Sequence, residues 1–449
     1  MNRFDPSHRP VRPKPPQQED NKALLKKVNR VSRGRRKVGM DGVKIAAIMV
    51  GLMVAVAVML IFIGNLEMPQ TGTGQRGDDG YNGETLPPYI VSDPFAGLPV
   101  GGVVLPPIDD DMLFYPDTGG SLELPLIGAT GWAAAQIIMR DTPGTGGEQI
   151  AELAPGRVFT ILDRQGDWWY VRLTDETTGW VDQRRSFINL PDVLPSIVYS
   201  ISNASAAIFT SSGFDLPGIT GAQLYSAHAF NYRLGRYEYI VPGMYLLARA
   251  LFQVQQLALS NNDTLVIYEV FRPRATQHAI VDAMNQLGRA NALVYDAIAD
   301  SPWSLTWFVS TGISNHQRGG AVDATLARIR ETEIVRSGDY SFLRITDYNR
   351  IETGTRMHEL SPASAIVSSP RSISAGQILG GNVDLTGAAL TGGILRMQWY
   401  FANQGFDPLA SEWWHFNHQP SIAMATASGI VGEFYTPEIH SEPPPLHAE

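Results

Sequence analysis

No cysteine occurs anywhere in the 449 residues, which excludes disulfides, thiolate zinc sites and every cysteine-nucleophile mechanism together. Lysine is confined almost as sharply. Lys14, Lys22, Lys26, Lys27, Lys37 and Lys44 are the whole set, and after position 44 every basic side chain other than histidine is arginine. Arginine does not readily release its proton, so nothing beyond residue 44 can act as a lysine base, and a Ser-x-x-Lys arrangement is ruled out there. Positive charge is scarce in the same region. Residues 45–449 carry 22 basic against 40 acidic side chains, a net of −18, whereas residues 1–44 carry 13 against 4, a net of +9. A surface so acidic repels polyanions, and no nucleic-acid partner is expected.

One long apolar run is present. Residues 45–64, IAAIMVGLMVAVAVMLIFIG, hold no charge. At about 1.5 Å per residue they match a hydrocarbon core of about 30 Å. A signal-peptide apolar region is shorter and ends in small residues, whereas this run ends in Asn65-Leu66-Glu67-Met68. The expectation is an uncleaved transmembrane helix. Arg30, Arg33, Arg35, Arg36, Lys37 and Lys44 precede it, so residues 1–44 read as a basic cytoplasmic tail and the later domains as extracytoplasmic. Residues 65–124, rich in Gly and Pro and acidic, read as a linker.

From 125 to 190, short apolar runs alternate with turn residues, the signature of a small all-β barrel. The order is Ile137-Ile138-Met139-Arg140-Asp141-Thr142-Pro143, Ala154-Pro155-Gly156-Arg157-Val158, Trp168-Trp169-Tyr170-Val171 and Gly179-Trp180-Val181. This succession resembles the bacterial SH3-type domain, which implies a wall- or peptide-targeting module. A further linker is expected at 191–212, and a larger domain at 213–435 followed by a disordered tail at 436–449. In the larger domain, Leu247, Leu251, Val254 and Ala258 mark a helix over Met244 to Leu259, and Thr264 to Val270 reads as a strand. A helix is expected over Ala275 to Ala299, strands over Thr306 to Thr311 and Ala321 to Leu326, and a helix around Ile394, Met397 and Phe401. Helices and short strands without regular alternation predict an α+β fold.

With no thiols available, a zinc site has to be built from His, Asp and Glu. Two of the nine histidines sit in suggestive clusters: Ser314-Asn315-His316-Gln317-Arg318-Gly319-Gly320-Ala321-Val322-Asp323, and Ser411-Glu412-Trp413-Trp414-His415-Phe416. The first offers an imidazole and a carboxylate across a glycine turn. The second sets a carboxylate three residues before an imidazole, beside two water-excluding tryptophans.

Together with Glu269-Val270-Phe271-Arg272-Pro273, these clusters stand in the order and wording of the D-alanyl-D-alanine dipeptidase and carboxypeptidase zinc metallopeptidases, which the chain resembles over about 220 residues. Glu412-Trp413-Trp414-His415 is closest to the dipeptidase-like branch. The resemblance implies a hedgehog/D,D-peptidase-like α+β domain and one Zn2+ held by His316, Asp323 and His415. It further implies Glu412 as general base, Arg272 as oxyanion stabiliser and Ser314 as a substrate contact. Strict dipeptidases carry an aspartate near the substrate amine, where this chain has His358, so a longer stem peptide is expected to be accepted. The partners so implied are peptidoglycan or its stem peptides; the apolar run at 45–64 adds the membrane as an expected partner, in a bacterium of Gram-positive type. The alternatives are a dipeptidase on free D-Ala-D-Ala and a catalytically inactive wall-binding protein. The residues give no oligomeric state. A glycosidase would need a positioned carboxylate pair, and no motif supplies one.

Overall fold

The computed structural model describes residues 122–299, 302–387, 390–436 and 438–444. Strands β1 (Thr130–Ala133), β2 (Ile137–Arg140), β3 (Gln149–Leu153), β4 (Val158–Gln165), β5 (Trp168–Leu173), β6 (Thr178–Asp182) and β7 (Ser186–Asn189) build the β-rich region. In β5 burial alternates strictly: Trp169, Val171 and Leu173 point inward while Trp168, Tyr170 and Arg172 stay half-exposed. Trp169 is therefore the core tryptophan, fully buried. Gly166 turns β4 into β5 at φ +56°, a left-handed conformation that glycine adopts without steric cost.

Beyond the barrel come the short strands β8 (Val198–Tyr199), β9 (Thr210–Ser211), β10 (Phe214–Asp215), β11 (His228–Asn231) and β12 (Arg236–Tyr239), then β13 (Pro242–Met244). β13 joins the barrel, giving the order β13–β7–β1–β4–β5–β6–β2–β3, and runs directly into helix α1 (Tyr245–Ser260). A second sheet is formed by β14 (Asp263–Glu269), β15 (Ala321–Ser337), β16 (Tyr340–Arg350), β17 (Phe406–Leu409) and β18 (Glu412–His418). Its order is β17–β18–β15–β14–β8, with β16 pairing the far end of β15. Helices α2 (Arg274–Ala290), α3 (Ala292–Ala299), α4 (Leu305–Phe308), α5 (Gly392–Asn403) and α6 (Gln419–Ala427) complete the α+β unit.

Several expectations differ from what is found. The predicted helix over 275–299 is broken at Asn291, whose extended backbone closes α2 while its side-chain Oδ1 accepts from the Leu293 and Val294 N–H groups that open α3. The predicted strand over 306–311 is instead the single helical turn α4. The stretch 191–212 contributes β8, which pairs in parallel with β14. Residues 438–444 of the expected tail lie along the barrel: Trp132 Nε1 donates to the Glu438 carbonyl at 3.2 Å, Thr160 Oγ1 to the His440 carbonyl at 2.8 Å, and Ser441 Oγ to Asp192 at 2.6 Å.

The expected single-pass membrane location is corrected. No helix among the described residues is long and apolar enough to cross a membrane. The apolar run at 45–64, together with the tail at 1–44, lies outside the described residues.

His418 ends β18, buried, with Nδ1 2.7 Å from Ser421 Oγ at the start of α6. Burial pushes its pKa down to about 4 from the ordinary value near 6.5. Between those values the unfolded chain binds a proton that the folded chain refuses, so this contribution to stability is full above pH 6.5 and is lost as pH falls through 4. The loss amounts to about 3 kcal/mol. Urea unfolding at pH 7 and pH 4.5 is expected to show a flatter pH dependence for His418→Gln than for the unsubstituted protein; equal slopes would mean that His418 does not carry the effect.

Candidate functional site

Strand register assembles the site. Asp323 of β15 lies directly opposite His415 of β18 on one side and Glu269 of β14 on the other. One row across three strands thus carries two carboxylates and an imidazole. His316 reaches the row from the turn that precedes β15. That turn closes through Gly319 at φ +60°, and a Cβ there would come within 2.7 Å of the Phe187 ring of β7. Glycine is thus required twice over, by backbone conformation and by the barrel's close approach.

His316 Nε2, Asp323 Oδ1 and His415 Nδ1 form a small triangle with sides of 3.1 Å between the imidazoles and 3.2 and 3.0 Å from them to the carboxylate. The opposite ring nitrogens are both engaged. His316 Nδ1 is 2.8 Å from the Val270 carbonyl, and His415 Nε2 is 3.1 Å from Asn417 Oδ1. Asn315 Nδ2 donates to that same Asn417 oxygen, fixing its amide with the acceptor toward the histidine. Assigned from these acceptors, the tautomers leave each inward nitrogen with a bare lone pair. Three lone-pair donors facing one another repel unless a cation stands among them. Zinc bonds of about 2.0 Å in tetrahedral array set ligand atoms about 3.3 Å apart, close to the three sides observed. The donor set fits Zn2+.

The charges in the site are strongly shifted. Burial alone would raise Asp323, but His316, His358 and His415 hold its carboxyl well below the usual carboxylate range. Burial lowers His316; it would lower His415 too, but with no cation in the triangle the protonated His415 ring donates to Asp323 and feels the charges of Asp323 and Glu412, which raise it instead. Glu412, buried beside His415 at 3.7 Å, is pushed up to about 8 by desolvation, against the opposing pull of His415 and Arg272. A divalent cation in the triangle favours the charged carboxylate and draws it back down.

Arg272 is buried as well. Its Nε donates to Glu269 Oε2 at 2.9 Å, its Nη1 to Gln277 at 2.8 Å, and its Nη2 to Glu269 and, at 3.4 Å, to Asp323 Oδ2. Burial would lower its pKa, yet Glu269, Asp323 and Glu412 hold the guanidinium charged. A cavity of about 180 Å3 opens over these groups, with Phe209, Trp307, Ser314 and Trp414 among its walls. That is smaller than the roughly 300–1,000 Å3 of pockets for drug-sized ligands.

All seven residues singled out from the sequence border this cavity. His316, Asp323 and His415 converge, Glu412 flanks them and Arg272 lies behind Asp323. Ser314 sits on the wall, its N–H donating to Gln317 Oε1 while its Oγ accepts from the Gln317 N–H. His358 is fully buried, with Nε2 3.2 Å from Asp323 Oδ2. Sequence reasoning missed Glu269, Gln277 and Asn417. Asn417 stands two residues after His415 on the same face of β18, a spacing that marks neighbours; Glu269 ends β14 and meets Arg272 only through the turn that follows the strand.

Residues 135–187 match the bacterial SH3 domain family. No curated protein matches the chain. The family match stops short of every residue of the cavity, and no match supports the resemblance to zinc D-Ala-D-Ala peptidases.

Proposed function

We propose that this protein is a zinc D,D-peptidase of carboxypeptidase type, hydrolysing D-Ala-D-Ala or related bonds in peptidoglycan stem peptides. The observation that carries the reading is the triangle of His316 Nε2, Asp323 Oδ1 and His415 Nδ1 with a buried carboxylate, Glu412, beside it. Zinc held there would supply Lewis-acid polarisation of the scissile carbonyl and acidify the attacking water.

The chain's own groups do the rest. Glu412 takes the proton from the water as the water oxygen adds to the carbonyl carbon. When the carbon–nitrogen bond breaks, Glu412 delivers that proton to the leaving amine. Arg272 is fixed by Glu269 and Gln277 before substrate arrives, so its charge faces the developing oxyanion without reorganisation. Trp414 walls the cavity against bulk water. The SH3 family match supports a wall-derived substrate, because the resemblance described above implies a wall- or peptide-targeting module.

Muropeptides digested with the zinc-loaded protein and read by mass spectrometry are expected to lose one terminal D-Ala from pentapeptide stems, faster than free D-Ala-D-Ala is cleaved. A strong preference for the free dipeptide would turn the assignment to a dipeptidase. Failure on both substrates with metal bound would leave an inactive binding protein.

A further inference from the structure

His358 occupies an unusual position for a bulky side chain. Its backbone lies in the left-handed region at φ +61°, a conformation that persists only where the surroundings over-determine it. They do so here. The Thr210 N–H donates to the His358 carbonyl at 3.0 Å, the Leu360 N–H to the Thr210 carbonyl at 2.7 Å, and Thr210 Oγ1 to Glu359 at 2.7 Å. The imidazole lies flat on Phe209, with ring centroids 4.3 Å apart and planes 8° from parallel. All of this directs Nε2 at Asp323 Oδ2, 3.2 Å away. Nδ1 is buried without a hydrogen-bond partner. A bare lone pair there costs less than an unpaired N–H, so the proton sits on Nε2 and is donated to Asp323.

The carboxylate of Asp323 is thereby divided. Oδ2 faces two donors, His358 Nε2 and Arg272 Nη2, while Oδ1 faces the two inward imidazole nitrogens. Glu269, Asp323 and His358 are themselves spaced closely enough to hold a cation. The guanidinium of Arg272 already stands among them, bonded to Glu269 and 3.4 Å from Asp323, so that cluster has its positive charge.

We infer that His358 is a positioning residue: it pins Oδ2 of Asp323 so that Oδ1 alone is presented, preoriented, to the zinc. The inference rests on the zinc reading above and assigns His358 a role other than touching substrate. Losing such a support typically weakens metal binding by about 10–100-fold.

The test is zinc affinity, measured by competition with a chromophoric chelator on the metal-free protein. His358→Phe keeps the stack on Phe209 but loses the donor, and is expected to bind zinc 10–100-fold more weakly. His358→Gln restores an N–H at a similar reach and is expected to bind within about threefold of the unsubstituted protein. His358→Leu is a second donor-free side chain should the phenylalanine variant not fold. Circular dichroism of the metal-free variants checks that the fold is retained. A donor-free variant that folds and binds zinc as tightly as the parent overturns the inference, as does a glutamine variant as weak as phenylalanine. A parent protein that binds no zinc overturns the metal reading first and this inference with it.

Discussion

Glu412→Gln is expected to lower turnover of pentapeptide stems by about 10²–10⁴-fold, the usual worth of a positioned acid–base group, while leaving zinc content unchanged. The carboxylate is buried, stands 3.7 Å from His415 Nδ1 and lies outside the ligand triangle. An amide of the same shape fills its place but cannot accept the proton of the attacking water. Metal analysis and steady-state kinetics on the same preparation separate the possibilities. Zinc lost along with activity would make Glu412 a ligand, and turnover within about threefold of the parent would remove it from the proton path altogether.

The second large effect falls on a residue that touches neither metal nor substrate. Glu269 is fully buried and takes two donors from Arg272. Arg272 outweighs the burial that would otherwise raise it and holds the Glu269 carboxyl below its usual range. Removing one member of a buried ion pair strands the other, at a cost of roughly 3–5 kcal/mol. Glu269→Leu is therefore expected to destabilise the protein by that amount in urea unfolding. The double variant Glu269→Leu with Arg272→Met removes both charges and is expected to regain part of the loss, the remainder falling on Asn203 and Tyr225, which also donate to Glu269, and to stay inactive because the oxyanion has no cation. A double variant as unstable as the single one would show that packing, not the stranded charge, sets the cost.

Much of this arrangement was legible in the chain. The period-2 runs around Trp169 and the stripe from Leu247 to Ala258 gave the barrel and α1, because one-sided burial writes its period into the sequence. The nearness of His316 to Asp323 was readable because short-range spacing, imidazole to carboxylate across a glycine turn, survives folding as geometry; that His415 joins them was expected only from the resemblance. What the residues did not announce were the long-range partners. That Glu269, Asp323 and His415 share one row depends on the register of three strands drawn from distant stretches, and register is set by the whole sheet. His358 was picked out by analogy with a substrate-binding position. Its burial against Asp323 follows from the β9 segment anchoring a left-handed residue, a tertiary effect. The short turn at Leu305–Phe308 reads as a strand because four apolar or β-branched residues satisfy either period.

The segment at 438–444 ties the start of the described chain to its end, through bonds such as Trp132 to Glu438 across 306 positions. At ribosomal speeds of roughly 5–20 residues per second, about 15–60 s separate the synthesis of those two residues. For that interval the nascent barrel has no partner for its flank, and its closing contacts belong to the slowest, least local part of folding. Substitutions at Thr130 or Ser441, whose hydroxyls bond each other across this junction, then act on aggregation during synthesis as well as on the equilibrium stability of the finished protein.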